Sequence, residues 1–288
     1  MAIPINTHED SDPYVTDPEE AEEIERLLLQ DHAITKEIGE FFPANVTPSP
    51  GQVVLDLACG PGGWAYDVAC THPEIQVIGL DSSQKMIRSA KARARASGLS
   101  NTDFQVSDIL PPLDFPEDAF ELVNARFLST FITKDAWLPL LQECQRIIRP
   151  GGVMCLTDGE WAFSNGEACE QYASLLKRAM WLNNRAFGPQ GRMIGSTLML
   201  SHFLRQAGFR DIRRHAHILD YSYGTEEHTI WYQSTLKAFP QVTYWLTKTG
   251  MTTKEEFEQL CDRVSAEIQR PDFRAMLYFL TVWGIKSE

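Results

Sequence analysis

From residue 51 onward the chain alternates between two hydrophobic rhythms. Short runs rich in β-branched and large apolar residues, QVVLDLA (from Gln52), IQVIGLD (from Ile75), TDFQVSD (from Thr102) and AFELVNA (from Ala119), are separated by stretches in which apolar positions recur every three or four residues. The first rhythm predicts strands and the second predicts helices. Helices are predicted over Gly63–Thr71, over SSQKMIRSAKARARASG with Ser82 or Ser83 near its cap and Gly98 at its end, and over KDAWLPLLQECQRII. The last is expected to stop at Pro150 and the two glycines that follow, before a fifth strand, VMCLTDG. Strands alternating with helices argue for a parallel sheet covered on both faces.

The flanks are patterned differently. Near the N-terminus Asp17 suits a helix cap, Pro18 the first helical position and Glu20 the capping-box spacing. Ala21, Ile24, Leu28 and Ile34 then form one apolar stripe, Gly39 ends the helix, and FFPANVTPSPG is a turn-rich linker. Past Gly159, residues 160–195 predict two helical pieces and a GPQGRMIG loop, too much chain for a simple connection. STLMLSHFLRQAGF predicts a helix stopped by Gly208, RDIRRHAHIL a strand, residues 221–272 a mostly helical and aromatic stretch, and AMLYFLTVWGIK a closing strand. The expected organisation is a helical lid and linker over 1–50, a ligand-binding core over 51–159 and a cap insertion over 160–195. A core helix and strand over 196–220, a second cap insertion over 221–272 and a last core strand over 273–288 complete it. Trp161, Trp181, Trp231 and Trp245 fall in the insertions, so the cap is expected to have an apolar interior of its own.

Composition narrows the function. Residues 1–50 hold twelve acids and two bases, which accounts for ten of the net charge of −13. An acidic chain is a poor partner for a nucleic-acid backbone, whose binding depends on basic contacts. The basic run Lys85 to Arg95 alternates with alanines and reads as a solvated helix face. No apolar run is long enough to span a membrane, the first residues do not resemble a signal peptide, and the six cysteines form neither a CxxC nor a zinc pattern. These features lead us to expect a cytoplasmic protein with reduced thiols, no metal and no membrane span.

The chemistry concentrates at VLDLACGPGGW, residues 54–64. In open α/β sheets ligands bind beyond the carboxyl ends of the strands, where strand order reverses. A nicotinamide site would place a pyrophosphate on the glycine turn. Here Asp56 stands four residues before the first glycine, Gly60, and penalises a dianion while favouring a ligand that carries positive charge. Asp81 closes the second strand, in the place that takes ribose hydroxyls. A nucleoside with a ribose diol and a cation where the phosphate would be describes S-adenosylmethionine (SAM).

VLDLACGPGGW, VIGLDSSQKMI, FQVSDI, FELVNARF and LQECQRIIRPGG resemble, in order and spacing, the successive motifs of class I SAM-dependent methyltransferases, in particular the ubiquinone/menaquinone-type and small-molecule branch. The resemblance implies an α/β fold with a Rossmann-like seven-stranded sheet, its last strand antiparallel, under a mainly helical cap. It implies SAM as cofactor and S-adenosylhomocysteine (SAH) as product. By the same resemblance Ala58, Cys59, Gly60 and Gly62 wrap the methionine part and Asp56 organises the loop. Asp81 takes the ribose with Ser82 and Met86 flanking the adenine, Asp108 and Ile109 take the adenine amino edge, and Asn124 and Arg126 border the methionine end. Ala58 departs from the glycine more usual there, for which a small adjustment of the loop is expected.

The aromatic cap suits an apolar or aromatic small-molecule acceptor, in quinone-like or natural-product metabolism. The fourth strand ends in NARF rather than the N/D-P-P-Y/F motif of amino-methylating DNA enzymes, a further argument against nucleic acid. Methyl transfer from a sulfonium draws chiefly on alignment and needs no conspicuous catalytic residue. Candidate bases are His228, Tyr14 and Glu160, with His217 and Tyr223 behind them, and candidate acceptor contacts are Tyr14, Phe127, Trp161, Tyr223 and His228. The acidic N-terminal helix is a candidate lid, contact between copies of the chain, or solvated arm. Two other readings stand beside the enzyme: a non-catalytic SAM-binding regulatory or scaffold protein, and a nicotinamide-dependent oxidoreductase.

Overall fold

Five parallel strands form where the alternating pattern puts them. They are β1 (Val53–Leu57), β2 (Gln76–Asp81), β3 (Thr102–Val106), β4 (Phe120–Arg126) and β5 (Ile148–Gly159). The structure is a computed structural model that describes residues 21–44, 46, 49–161 and 163–287, so Tyr14 and the cap residues Asp17, Pro18 and Glu20 lie outside the described residues. Helices α2 (Gly63–Thr71), α3 (Gln84–Ala96) and α4 (Trp137–Ile147) make the crossovers. Ser83 caps α3, its hydroxyl accepting from the Met86 N–H at 3.3 Å. The remaining elements are β6 (Phe163–Ser164), α5 (Glu167–Leu182), α6 (Ser196–Gln206), β7 (Phe209–Asp220), α7 (Glu226–Lys248), α8 (Lys254–Ile268) and β8 (Ala275–Lys286), with α1 (Ala21–Ile38) ahead of the sheet.

The strand order is β3-β2-β1-β4-β5-β8, with β7 on the far side of β8 and the two-residue β6 also paired to β8. β8 runs antiparallel to β5, β6 and β7. The sheet is therefore the expected one, last strand antiparallel, enlarged to eight by β6. The chain leaves β1 toward β2 and β3 and returns to β4 on β1's other edge, so strand order reverses between β1 and β4 and a crevice opens beyond their carboxyl ends. In register, Asp56 lies beside Gly79 of β2 and Asn124 of β4.

Two boundaries differ from expectation. Pro150 and the glycines do not stop α4, which ends at Ile147; the segment Ile148–Gly152 already belongs to β5. The pairing of β4 with β5 jumps from Phe120–Ile148 to Leu122–Val153, so the proline and glycines sit in a bulge, where a missing N–H does no harm. Residues 160–195 hold one α-helix, α5, instead of two helical pieces, followed by a single 3-10 turn at Pro189–Gly191. Asn184 in the left-handed region breaks the chain out of α5 soon after its end.

Two apolar bodies sit against the sheet's faces: one gathers Leu55, Trp137, Leu140, Ile147, Met154 and Phe203, the other Val54, Trp64, Val68, Ile87 and Phe104. A third joins α1, α5, α7 and α8 to the first residues of β8, through Ala33, Leu176, Val242, Phe257 and Phe279 among others. The helical cap thus has its own interior and grips the sheet through β8 and the end of β7.

The glycine turn is both strained and crowded. Gly62 has φ +74°, and a Cβ there would lie 2.7 Å from Phe104 Cε1 and 3.0 Å from Ala90 Cβ, whereas Gly98, at φ +68°, has nothing within 4 Å. The left-handed backbone costs an alanine about 1–2 kcal/mol, and overpacking adds about 1–3 kcal/mol. Gly62→Ala is therefore expected to lower unfolding free energy by at least about 1 kcal/mol more than Gly98→Ala in urea titrations. Equal losses would show that Phe104 yields freely and that the turn's shape is not set by packing.

Candidate functional site

Four of the five parallel strands deliver a polar residue to the same edge. Asp56 and Ala58 come from the end of β1, Asp81 from β2, Arg126 and Phe127 from β4, and Asp158, Gly159 and Glu160 from β5. They line one cavity of about 380 Å³ that continues under the cap to Tyr172, Tyr221, Trp231 and Phe273. A volume of this order is that of a small-molecule site.

The glycine loop is held open from below. Asp81 Oδ2 accepts the Gly60 N–H and Oδ1 accepts the Ser83 N–H, each at 2.9 Å, so one buried carboxylate ties the turn after β1 to the cap of α3. Ala58 has φ +56°. The residue found where the family usually has glycine thus adopts the backbone that favours glycine, and the loop keeps its shape at the cost of strain. A Cβ at Gly60 would meet nothing within 4 Å. Asp56, 4% exposed, accepts from Asn124 Nδ2 at 2.8 Å. Its carboxyl is pushed up to about 7, first by burial, with Arg126 and the Asn124 hydrogen bond pulling against this and Asp31 and Asp81 adding to it.

Above this edge lies α1. Glu23, Arg26, Leu27, Gln30, Asp31 and Ile34 all face the cavity. Their spacing of three and four residues puts them on one side of the helix. The stripe facing the cavity is therefore largely polar, whereas of the predicted apolar stripe Ile34 is buried and Ile24 and Leu28 are half-buried. Arg26 is bonded through Nε and Nη2 to Glu23 and reaches Gln30 and Ser234 through Nη1. Arg126 donates to Asp31 through Nη2 and to Thr35 Oγ1, at 2.9 Å, through Nη1. The described part of the N-terminal helix thus forms one wall of the cavity.

The candidate bases fare differently from expectation. His228 does not reach the cavity: its Nε2 donates to the Ile268 carbonyl at 2.8 Å, fastening the start of α7 to the end of α8. Tyr223 is 45% exposed and packs edge-on against His228, whereas Tyr221, two residues earlier, is 5% exposed and lines the chamber. Glu160 lines the cavity but is fully engaged, accepting from the Ile194 and Gly195 N–H groups and from Thr197 Oγ1, each at 2.9 Å. It braces the entry to α6. His217 lies on β7, stacked on Phe279 and bonded to Thr281, with its pKa lowered to about 4, first by burial and then by His215.

Among the cofactor candidates, Asp56, Ala58, Cys59, Gly60, Asp81 and Arg126 line the cavity together. Gly62 and Asn124 stand behind it, one shaping the turn into α2 and the other orienting Asp56. Ser82, Met86, Asp108 and Ile109 are not part of the lining: Met86 is 1% exposed in the core, and Asp108 is exposed with Oδ1 accepting from the Leu110 N–H. Phe127 and Trp161 do line it. Sequence reasoning missed Asp31, the Glu23–Arg26 pair, Asp158, Tyr172, Tyr221, Trp231 and Phe273. Asp158 accepts from Ser129 N and Oγ and from Gly159 N, and burial pushes its carboxyl up to about 6 against those bonds. Tyr221 and Trp231, ring centroids 5.3 Å apart, form the corner of the chamber. Among the described residues no cluster suited to a metal ion occurs.

The donor set suits SAM. Buried carboxylates at the ends of β1 and β2 and on α1, with the guanidinium of Arg126 among them, match a nucleoside that carries two positive charges and one negative. They oppose a pyrophosphate.

Comparison with known proteins agrees with this geometry. The methyltransferase-domain family matches residues 54–152. Demethylmenaquinone methyltransferase of Lactococcus lactis is 34% identical over 108 residues, 37% of this chain and 42% of that protein, and the matched region spans under half the length of such curated relatives. In structure the chain is similar to the YcgJ protein of Bacillus subtilis (TM-score 0.52, 17% identity, 91% of this chain and 99% of that one). It is also similar to phosphoethanolamine N-methyltransferase 2 of Haemonchus contortus in complex with phosphomonomethylethanolamine and SAH (TM-score 0.50, 19% identity, 90% and 52%). At such identities the structural likeness is one of fold.

The raised pKa of Asp56 has a consequence for stability. The folded chain keeps a proton there between about pH 4 and pH 7 that the unfolded chain releases, so stability falls as pH rises through that window. Replacing the group by its uncharged isostere removes this fall, worth up to about 4 kcal/mol. Asp56→Asn is expected to melt several degrees higher relative to wild type at pH 8 than at pH 5. A difference in melting temperature that is the same at both pH values would mean that Asp56 titrates as an ordinary surface carboxylate.

Proposed function

We propose, for a chain that is a class I methyltransferase by domain and by fold, that it uses SAM to methylate a neutral apolar or aromatic small molecule. The observation that carries this reading is the single cavity, carboxylate-lined at the strand ends and aromatic under the cap. Bound at the first end, SAM supplies a methyl group already activated by its sulfonium. Asp81 accepts the ribose hydroxyls, the backbone of Ala58 to Gly60 faces the methionine part, and Asp56, turned by Asn124, faces positive charge. Asp108 and Ile109 sit beyond the end of β3, where the adenine edge is proposed to lie.

The cap supplies exclusion and alignment. Phe127, Trp161, Tyr172, Tyr221 and Trp231 wall the second end, keep water from the acceptor and set its plane. Alignment of this kind contributes up to about 7–11 kcal/mol to a displacement. Among the sequence-level bases within the described residues, His228 is turned away and Glu160 is spent on backbone, so the reaction is proposed to proceed by positioning. A cap side chain filling the chamber would favour a non-catalytic binding protein; the chamber stays open, which supports an enzyme. The L. lactis relative is named for a quinone substrate, and an aromatic acceptor of that kind fits the chamber's lining better than a small phosphate ester does.

Titration calorimetry with SAH and with NAD separates the cofactor readings: SAH is expected to bind and NAD is not, and the reverse would defeat the proposal. With SAM as donor, a panel of hydroquinones, phenols and indoles set against phosphoethanolamine tests the acceptor. Methylation confined to phosphoethanolamine would overturn the apolar reading.

A further inference from the structure

The contact between Arg126 and Asp31 joins two parts of the chain that no motif connects. Arg126 ends β4 inside the matched domain, and Asp31 lies on α1, ahead of it. Asp31 also reaches α2: a Cβ at Gly63, the first residue of that helix, would collide with the Asp31 carboxylate. Gly62 caps α2 without a side chain, so the positive end of the helix faces that carboxylate. One carboxylate thus rests between a guanidinium and a helix N-terminus, with 21% of its side chain open to the cavity.

Local charges show what the arrangement lacks. Burial raises the pKa of both Asp31 and Asp56 against the pull of Arg126, and on Asp31 Arg93 adds to that pull while Asp67 opposes it, so the Arg126–Asp31 pair is enclosed with little water to screen it. A buried ion pair is costly unless a further partner completes it. A ligand with one carboxylate and one ammonium on the same carbon completes this one, because each of its charges finds an opposite charge already in place.

We propose that Arg126 and Asp31 form a clamp for an amino-acid zwitterion, Arg126 taking the cofactor's carboxylate and Asp31, from the lid, taking its ammonium. This rests on the SAM reading given above and adds a cofactor contact from outside the domain. The lid is built to hold that contact. Lys36 bonds Glu226 and Glu227 of α7 at 2.7 and 3.0 Å, Lys237 of α7 bonds Glu25, and Arg26 reaches Ser234 at 3.4 Å. With α1 fixed along α7, Asp31 is presented at one height above the glycine turn. The single ion pair seen here becomes two when the zwitterion enters, and no buried charge loses its partner.

The test compares SAH with 5′-methylthioadenosine, which keeps the nucleoside and thioether and lacks the amino acid, by calorimetry on the full chain. Asp31→Asn is expected to raise the dissociation constant of SAH at least tenfold and that of methylthioadenosine less than twofold. Arg126→Met should show the same split. If Asp31→Asn binds SAH as tightly as wild type, or more tightly, Asp31 is a plug that competes with the carboxylate and the clamp is refuted. If the variant loses both ligands alike, Asp31 only anchors the lid, and the clamp is again refuted. Failure of the wild-type chain to bind SAH would instead refute the SAM reading beneath it.

Discussion

Carboxyl groups are costly to bury in ionised form, and this structure brings five of them, Asp31, Asp56, Asp81, Asp158 and Glu160, to one edge of one sheet. Much of the surrounding architecture limits that cost. Asp81 accepts the N–H groups of Gly60 and Ser83, Asp158 those of Ser129 and Gly159, and Asp56 the amide of Asn124. These bonds are also what shape the loop after β1, the cap of α3 and the turn after β4. The acids and the local fold are therefore one problem with one solution. The least compensated of the acids is Asp56, whose carboxyl burial pushes up to about 7 although Arg126 and Asn124 pull against it.

The parallel core could be read in the sequence because each of its elements is self-sufficient. Val53–Leu57 and Gln76–Asp81 are short apolar runs closed by acids, Gly63–Thr71 fits a short crossover, and Gly98 ends a helix that Ser83 begins. The reading failed where tertiary pairing overrode local signals. Pro150 and its glycines look like a helix stop, yet β4 offers enough pairing on either side to hold them in a bulge. The two residues of β6 carry no periodicity at all and exist because β8 is long enough to pair with them.

The site divides along the same line. Asp56, Gly60, Asp81 and Arg126 stand at strand ends within motifs whose spacing fixes their place, so sequence located them. Asp31 and Arg26 were hidden because a polar stripe on an acidic helix looks solvated, and only the cavity beneath α1 explains why Glu23 is 2% exposed. Of the stretch YSYGTEEHTIWY, Tyr223 and His228 stand out in the sequence, whereas Tyr221 and Trp231 are the members that line the cavity. β7 ends at Asp220, so the alternation that would put Tyr221 and Tyr223 on one face no longer holds: Tyr221 is buried in the chamber wall and Tyr223 is exposed, and α7 then carries Trp231 to the chamber while His228 reaches the end of α8. That choice depends on where the strand stops, which no local pattern marks.

Placement of charge along the cavity also bears on rate. A carboxylate beside a sulfonium would stabilise the reactant more than the transition state, where the charge is dispersed, and would slow transfer. The structure keeps its less compensated acids, Asp31 and Asp56, at the loop end with Arg126 and Asn124. The acids nearer the cap are quenched by donors: Asp158 by Ser129 and Gly159, Glu160 by Ile194, Gly195 and Thr197. Beyond them the wall is Phe127, Trp161, Tyr221 and Trp231, whose ring faces accommodate dispersed positive charge without holding it. With SAM placed as proposed, binding strength would be concentrated on the amino-acid end of the cofactor, away from the bond that must break. That separation is what a methyltransferase relying on alignment requires, because affinity gained there does not deepen the well from which the methyl group departs.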